Sequence, residues 1–356
     1  MKTINFFAGP AILAPEVLIE AQEAVKDFNG MGLSILEISH RSKQFVEVMN
    51  EAQSRVKSLL NLTDEYAVLF LTGGASSQFF MTAMNLLNEN ETAGYVDTGA
   101  WSTKAIKEAN LFGNVKVIAS SKDKNYSYIP KGYSIDPGLK YLHLTSNNTI
   151  FGTQIKEYPN TKVPFVTDMS SDIFSKSFDV SKHDLIYAGA QKNLGPAGTT
   201  LVIVKKDIIN KVNRQIPSML KYQTHIDKDS SFNTPPAFPI YVSMLSLRWL
   251  ENNGGISFIQ KKNEEKAALL YAEIDRNELF YGSVANEDRS LMNVCFLPKD
   301  KEHTAGFISK AGEAGCVGIA GHRSVGGFRA SIYNAMSKEG VQKLIDVMKE
   351  WERTHG

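Results

Sequence analysis

The stretch Tyr66-Ala-Val-Leu-Phe-Leu-Thr72 is a continuous apolar run of strand length, and Gly73-Gly74 ends it. A helical pattern follows, with apolar side chains at Phe79, Met81, Met84 and Leu87. Further runs of strand length occupy residues 93–97, 115–119, 141–146, 163–168, 185–188 and 200–204, and helical patterns occupy residues 15–29 and 42–60. Continuous apolar strands that alternate with helices favour an α/β fold whose mostly parallel sheet is covered on both faces.

The chain after about residue 205 has a different pattern. A long helical region over 240–277 is interrupted at Asn252-Asn253-Gly254-Gly255. The last part mixes strands and helices, with strands predicted at 292–297 and 328–333 and helices at 302–313 and 338–353. We therefore predict a large α/β domain over 16–256. The N-terminal arm (1–15) is assigned with a small α+β C-terminal domain (257–356).

Length and composition exclude several classes of protein. The 356 residues exceed what a single core usually serves, and the formal net charge of +1 gives no electrostatic reason to expect nucleic-acid binding. A mean hydropathy of −0.20 and the lack of a long uncharged apolar run argue against a membrane protein. The two cysteines and the absence of an apolar leader before Pro10 suit a cytoplasmic protein. These properties indicate a cytosolic globular protein, most simply an enzyme.

Polar residues just past the strands are the candidates for chemistry, because ligands of open parallel sheets lie beyond the carboxyl ends of the strands. The turn Gly73-Gly-Ala-Ser-Ser77 could bind a phosphate through its amides, or could simply be a tight turn into a helix. It matches neither common nucleotide-binding fingerprint. Asp168 ends a predicted strand and could cap a helix or hold a protonated ring nitrogen.

Lys192 is the most informative single residue. It lies between the small and apolar run Leu185-Ile-Tyr-Ala-Gly-Ala-Gln191 and the turn Asn193-Leu-Gly-Pro-Ala-Gly198, whereas most lysines are solvated at the surface. A lysine beside apolar and cationic neighbours has a lowered pKa and can form a Schiff base with a carbonyl. A lysine, an upstream carboxylate and a Gly/Ser turn are the parts that a pyridoxal-phosphate site needs.

A series of ordered motifs carries a resemblance to a known family over essentially the whole chain. The sequence resembles the phosphoserine aminotransferases, class V members of the fold-type-I pyridoxal-phosphate-dependent transferases. The motifs are Asn5-Phe-Phe-Ala-Gly-Pro10, Glu37-Ile-Ser-His-Arg-Ser42, Gly73-Gly-Ala-Ser76, Thr98-Gly-Ala-Trp-Ser102, Asn147-Asn-Thr-Ile-Phe-Gly152, Thr167-Asp-Met-Ser-Ser171, Ala188-Gly-Ala-Gln-Lys-Asn193, Asn233-Thr-Pro-Pro236 and Gly321-His-Arg-Ser-Val-Gly-Gly-Phe-Arg-Ala330.

The resemblance implies a set of cofactor ligands. Lys192 is similar to the Schiff-base lysine that also moves the substrate's α-proton, and Asp168 to the carboxylate that keeps the pyridine nitrogen protonated. Trp101 resembles the aromatic side chain that stacks on the ring, and Thr149 the hydroxyl near the ring oxygen. The phosphate ligands implied are Ala75, Ser76 and Gln191, completed by Asn233 and Thr234 of the neighbouring subunit.

The resemblance also implies where substrates bind. Arg41 is similar to the arginine that grips the α-carboxylate, a task that suits a planar fork, and Arg329 to a second carboxylate ligand. His40, with His322 and Arg323 expected from the partner subunit, resembles the distal anion site. From the residues alone, His322-Arg323 could equally be a solvated loop between glycines.

The activity that follows from the resemblance is ping-pong amino transfer from L-glutamate to 3-phosphooxypyruvate, giving O-phospho-L-serine and 2-oxoglutarate. It implies a homodimer with shared active sites, pyridoxal phosphate as cofactor, no metal, and a place in serine biosynthesis. Some relatives also act on 4-phosphohydroxy-L-threonine in vitamin B6 synthesis. Two departures from the family pattern are Ser76, where some members have an arginine, and Ala8, where some have a serine.

Other interpretations remain open at this level. Another class V activity, such as alanine–glyoxylate aminotransferase or cysteine desulfurase, would use the same fold. A desulfurase needs a mobile nucleophilic cysteine, whereas Cys295 lies in an apolar run and Cys316 beside Gly315 with no neighbouring base. A regulator that binds the cofactor without turnover is a third possibility, and the presence of Lys192 and Asp168 argues against it.

Overall fold

The computed structural model describes residues 3–356. Its α-helices are α1 (Pro15–Lys26), α2 (Lys43–Leu60), α3 (Gly74–Leu86), α4 (Ala100–Ala109), α5 (Tyr222–Ile226), α6 (Ala237–Asn252), α7 (Gly255–Arg276), α8 (His303–Glu313) and α9 (Lys338–His355). Its strands are β1 (Ile4–Asn5), β2 (Tyr66–Leu71), β3 (Thr92–Asp97), β4 (Asn114–Ser120), β5 (Leu142–Thr145), β6 (Phe165–Asp168), β7 (Leu185–Gly189), β8 (Thr200–Lys205), β9 (Phe280–Gly282), β10 (Asn293–Pro298), β11 (Cys316–Val317) and β12 (Phe328–Ser331).

A seven-stranded sheet in the order β2-β8-β7-β6-β5-β3-β4 forms the centre of the molecule. Its strands pair in parallel from β7 to β4, while β8 runs antiparallel to both of its neighbours. All six side chains of β2 are buried, as a strand covered on both faces requires. Alternate side chains of β2 point to opposite faces of the sheet, and each face is covered by helices. Val68 and Phe70 pack with α1, α2 and α6 on one face, and Leu69 and Leu71 pack with α3 and α4 on the other. The predicted α/β class is confirmed.

A smaller antiparallel sheet, β12-β10-β9, forms a separate core with α7, α8 and α9. Its centre is a cluster of aromatic rings, Phe280, Phe296, Phe307 and Phe328, whose centroids lie 4.8–5.6 Å apart. The N-terminal arm joins this core, because β1 pairs with β11 and the side chain of Phe6 is fully buried in it. On this basis we propose the domain division at about residue 256, at the beginning of α7.

Some local features differ from the sequence pattern. Helix α1 ends at Lys26 instead of continuing to Asn29, because Asp27 takes an extended backbone conformation, with a φ of −154° and a ψ of 102°. Helices α6 and α7 are separate, as predicted, and Gly254 takes a φ of 91° between them. The short strands β1, β9 and β11 were not predicted, since two or three residues carry no readable period. No helix in the described part of the chain is long and apolar enough to cross a membrane.

Lys266 connects α7 to the segment after β12. Its side chain is 2% exposed, and its ammonium donates hydrogen bonds to the carbonyl oxygens of Ile332 (3.1 Å), Tyr333 (2.9 Å) and Met336 (2.9 Å). These three bonds replace the water that a buried ammonium has lost. Lys266 therefore stabilises the turn that follows β12.

We expect Lys266→Met to lower the free energy of unfolding by about 3 kcal/mol, because three buried carbonyl oxygens lose their hydrogen-bond donor. Lys261→Met, on an exposed position of the same helix, is the matched control and should change the value by less than about 0.5 kcal/mol. Chemical denaturation of both variants measures the difference. Equal stability of the two would show that these hydrogen bonds contribute nothing.

Candidate active site

Lys192 and Asp168 lie at the carboxyl ends of two adjacent parallel strands. Asp168 ends β6 opposite Tyr187 of β7, and Lys192 follows shortly after β7 ends. Burial lowers the pKa of Lys192 to about 8, and the positive charge of Arg329 acts in the same direction. The negative charges of Asp168 and Asp172 oppose that shift. With a pKa of about 8, roughly a tenth of this amine is neutral, and nucleophilic, at pH 7.

Asp168 is 4% exposed and is held by a single neighbour. Its Oδ1 accepts hydrogen bonds from the Ser170 amide (2.9 Å) and the Ser170 hydroxyl (2.6 Å), and Ser170 Oγ accepts in turn from the Gly189 amide at 3.1 Å. Burial raises the pKa of Asp168, whereas the bonds from Ser170 and the charge of Lys192 lower it. Among the described residues all donors to this carboxyl bond Oδ1, so Oδ2 is available to hold a protonated ring nitrogen.

A chain of hydrogen bonds joins Trp101, Thr149 and Arg329. The Trp101 indole donates to Thr149 Oγ1 (3.1 Å), and Arg329 Nη1 donates to the carbonyl oxygen of Thr149 (2.9 Å). Arg329 projects from β12 of the small sheet, so this contact connects the two sheets at the site. Its buried Nε has no partner among the described residues. Because a buried guanidinium donor requires an acceptor, this nitrogen suits a carboxylate ligand.

Gly99 sets the position of Trp101 at the beginning of α4. It has a φ of 156°, and a Cβ there would lie 2.9 Å from Asn148 Oδ1 and 3.1 Å from the ring of Phe151. The Ser102 hydroxyl accepts from the Gly99 amide at 3.0 Å and lies 2.9 Å from Asp97 Oδ1. The indole is therefore supported by a turn that leaves no room for a larger residue.

The Gly73 turn presents free amides, as an anion ligand requires. The first hydrogen bond of α3 runs from the Ser77 amide to the Gly73 carbonyl, so the amides of Ala75 and Ser76 precede it and have no intrahelical acceptor. A Cβ on Gly73 would lie 1.8 Å from Ser77 Oγ, so only glycine fits. Thr199 connects this turn to the Lys192 turn, since its hydroxyl donates to the Leu71 carbonyl (3.2 Å) and its own carbonyl accepts from the Ala190 amide (3.1 Å).

The N-terminal arm passes beside Lys192. The motif Asn5-Phe-Phe-Ala-Gly-Pro10 was part of the family resemblance, but it did not predict where the arm lies. The Ala11 amide donates to the carbonyl oxygen of Gln191 at 2.8 Å, and the Tyr333 hydroxyl donates to that of Ala8 at 2.7 Å. A Cβ on Gly9 would lie 3.7 Å from Lys192 Cγ. The arm thus restricts one side of the lysine.

Asp172 is a residue near the site that the sequence pattern did not indicate. It is 3% exposed and accepts hydrogen bonds from Ser146 Oγ and from Gln154 Nε2, the latter at 3.1 Å. Its charge raises the pKa of both Lys192 and Asp168. No local motif distinguishes it from a helix-capping aspartate.

The residues predicted for the distal anion site are only partly gathered within one chain. His322 and Arg323 lie between β11 and β12, and burial together with the positive charges of Arg329, Arg323 and Lys104 lowers the pKa of His322. His322 Nδ1 lies 2.7 Å from Ser324 Oγ. The structure therefore places His322 in the field of its own chain's Arg329, although the resemblance implied that it serves the partner.

Four predicted residues make no hydrogen bond or ion pair with the Lys192 site within the described part of the chain. Arg41 is exposed just before α2, and the buried Nε2 of His40 has no partner among the described residues. Asn233 and Thr234 are exposed, and Asn233 Nδ2 donates only locally, to the Thr234 carbonyl at 3.2 Å. All four sit on loops from which a neighbouring molecule could be reached.

The site fits pyridoxal phosphate in each of its parts. The Gly73 turn offers amides to a phosphate, Trp101 offers an aromatic face, Asp168 offers an oxygen to a ring nitrogen and Lys192 offers an amine to an aldehyde. Residues 3–356 contain no group of three or more His, Cys, Asp or Glu side chains placed to hold a metal ion. Fold and site together define a fold-type-I pyridoxal-phosphate-dependent transferase.

Comparison with known proteins identifies the family. The family model described as aminotransferase class-V matches residues 3–344, and the chain therefore belongs to the class-V aminotransferases. It is 59% identical to the phosphoserine aminotransferase of Flavobacterium johnsoniae over 99% of both chains. The solved phosphoserine aminotransferase from Bacillus circulans subsp. alkalophilus is 45% identical, with a TM-score of 0.97 over 100% of this chain and 99% of that one. The pyridoxal-phosphate-bound phosphoserine aminotransferase from Trichomonas vaginalis is 33% identical, with a TM-score of 0.93 over 98% of this chain and 100% of that one.

The pKa of Lys192 can be tested on the cofactor-free protein. We expect acylation of Lys192 to rise with pH through about pH 8, because only the neutral amine reacts. In Asp168→Asn the rise should occur at lower pH, since the nearby negative charge that favours the ammonium is gone. Labelling across pH, followed by peptide mass spectrometry, measures both profiles, with Lys192 in the denatured chain as reference. A native profile equal to the denatured one would contradict the burial argument.

Proposed function

We infer that this chain is a phosphoserine aminotransferase that transfers an amino group between L-glutamate and 3-phosphooxypyruvate, giving O-phospho-L-serine and 2-oxoglutarate. The observation that carries this conclusion is full-length identity of 53–59% with relatives of that name, together with the Lys192–Asp168 site. The reaction belongs to amino-acid biosynthesis, in the formation of serine. Activity on 4-phosphohydroxy-L-threonine in vitamin B6 synthesis is a further use that the same anion site would permit.

Pyridoxal phosphate is the cofactor, and when bound it supplies an aldehyde and a protonated ring that accepts electrons from the substrate's α-carbon. Lys192 would be its covalent anchor and would carry the proton to and from that carbon. Asp168 Oδ2 would accept a hydrogen bond from the ring nitrogen and keep it protonated. Trp101, held by Thr149, would cover one face of the ring and exclude water there.

The phosphate of the cofactor would be held by groups from two places in the sequence. The amides of Ala75 and Ser76 are free at the beginning of α3, and Gln191 follows β7 beside Lys192. Asn233 and Thr234 are proposed to complete this cradle in the neighbouring subunit. Their exposure just before Pro235 supports that role, because the residue before a proline favours extended backbone.

Arg329 is the best-supported ligand of the substrate's α-carboxylate. It lies close enough to Lys192 to influence its pKa, and it has a buried, unpartnered Nε. The Arg41 side chain makes no hydrogen bond or ion pair among residues 3–356, so we propose that Arg41 acts with His40 as an anion ligand across the subunit interface. His322 and Arg323 would bind the distal phosphate or carboxylate.

A homodimer with shared sites would bring these groups together. Exposed apolar side chains precede and follow the loop that carries His40 and Arg41, which suits a subunit interface; they are Leu33, Leu36 and Val46. The small-molecule partners are the two amino acids and their keto acids. We propose a cytoplasmic location, consistent with two free, buried cysteines.

A cysteine desulfurase is not supported by the two thiols. Cys295 is buried, and burial raises its pKa to about 12, so it is not a thiolate nucleophile at neutral pH. Its Sγ donates to the Ile150 carbonyl at 3.6 Å. Burial also raises the pKa of Cys316, which lies in β11 of the small domain. Alanine–glyoxylate aminotransferase is disfavoured by the names of the full-length relatives.

The substrate assignment is tested by the half-reactions of the cofactor-loaded enzyme with phosphoserine, glutamate and alanine. We expect Arg323→Ala to lower the phosphoserine half-reaction by about ten- to a hundredfold, because a hydrogen bond to a charged group contributes roughly 1.5–3 kcal/mol. Glutamate should lose less, since its distal charge is smaller, and alanine should barely change. Single-turnover changes in visible absorbance give the rates.

The matched control is Arg353→Ala, which removes an exposed arginine of α9 that pairs with Glu350. It should leave all three half-reactions unchanged. A wild type that fails to react with phosphoserine would refute the proposed function. A loss with alanine as large as with phosphoserine would mean that Arg323 supports the loop or the dimer instead of binding the anion.

The shared site is tested by subunit mixing. Lys192→Ala lacks the anchor, and the double variant Asn233→Ala/Thr234→Ala lacks the two partner ligands. Random exchange between them should restore about one quarter of the wild-type sites, because half of the dimers are mixed and each holds one intact site. Activity after exchange, followed by native mass spectrometry, measures this, with each variant incubated alone as the control. Mixed dimers without activity would show that the site is built from one chain.

A further inference from the structure

Lys104 lies at the site without being accounted for by the proposed function. It is on α4, one turn after Trp101, and its ammonium is 4.4 Å from the centroid of the indole ring. It forms no ion pair with the carboxylates of residues 3–356, unlike Lys116, which lies 3.5 Å from Asp136. An exposed lysine over an aromatic face gains a cation–π attraction while keeping its charge.

The indole connects this cation to the substrate groups. Trp101 bonds Thr149, whose carbonyl oxygen holds Arg329. Lys104 also contributes to the positive field that lowers the pKa of His322. Lys104, Arg323 and Arg329 thus all act on His322, and these three positive side chains are here called the cation cluster.

Helix α3 supplies no positive side chain that could bind a substrate phosphate. Its first turn carries no charged side chain near the site, because Ser76 and Ser77 are neutral. A phosphate carries roughly −1.5 to −2 charge at neutral pH, twice that of a carboxylate. Each additional cation in a cluster therefore favours the phosphate end of one substrate over the carboxylate end of the other.

We propose that Lys104 is a specificity-determining residue whose ammonium, carried on the indole of Trp101, selects the distal phosphate of phosphoserine over the distal carboxylate of glutamate. The inference rests on the proposed function and deepens it. Lys104 acts on the distal charge through space, so it has no part in proton transfer. Its effect depends on its charge and weakens as salt screens the cluster.

The test compares Lys104→Gln, Lys104→Arg and Lys107→Gln in the cofactor-loaded enzyme. Lys107 lies on the same helix and is exposed, so its substitution removes an equal charge further from the indole. We expect Lys104→Gln to lower the phosphoserine half-reaction about fivefold and the glutamate half-reaction about twofold, and to leave alanine unchanged, as the distal charges predict. Lys104→Arg should retain wild-type selectivity, and Lys107→Gln should change nothing.

Binding and salt dependence provide readouts apart from turnover. Calorimetric titration with 3-phosphoglycerate, which has no amino or keto group to react, should show a similar fivefold weakening in Lys104→Gln, and glutarate a smaller one. In Lys104→Gln the phosphoserine half-reaction should also depend less steeply on ionic strength. These shifts come from charge, so a change in Trp101 packing alone would not produce them.

Two outcomes overturn the proposal. If Lys104→Gln slows all three amino acids equally, and Lys104→Arg does the same, Lys104 merely supports Trp101. If phosphoserine and 3-phosphoglycerate are unaffected, the lysine lies outside the anion site. The proposed function is judged separately, by whether the wild type reacts with phosphoserine at all.

Discussion

Two opposite charges, largely removed from water, lie at the carboxyl ends of adjacent parallel strands, and the site depends on this pair. Burial raises the pKa of Asp168 and lowers the pKa of Lys192, so it favours the neutral form of both. The charge of each residue opposes the pKa shift of the other. The strand pairing sets their separation, and Ser170 fixes the carboxylate. The result is a carboxyl group held beside an amine that is partly neutral, and a partly neutral amine is what carbonyl chemistry on a lysine requires.

The rest of the site is supported from the second domain. Asn193, next to Lys192, accepts a hydrogen bond from the Asn334 amide at 3.0 Å, and Arg329 reaches the Thr149 carbonyl from the small sheet. A buried polar network around Asn147 and Asn293 joins the same two regions. The positions of Asp168 and Lys192 therefore depend on contacts with the small C-terminal core as well as on β6 and β7. The reactive geometry requires that both cores be folded.

The sequence predicted the parts that depend on local pattern. Lys192, Asp168 and Trp101 each follow a readable strand, so their arrival at one sheet edge could be anticipated. Asp172, Tyr333 and the course of the arm could not, because they are brought in by contacts between residues far apart in the chain. The roles proposed for His40, Arg41, Asn233 and Thr234 would require a second subunit, and no periodicity within one chain specifies such a contact.

The packing of the N-terminal arm on the C-terminal core affects the order in which the protein can fold. Ile4 pairs with Cys316, and Phe6 is buried in a core built from residues after 260, so the arm has no place to bind until that part of the chain has been made. The large sheet can form before those residues are made, but one wall beside Lys192 cannot. A finished site therefore requires the small core, and a substitution that slows folding of that core would delay completion of the wall beside Lys192.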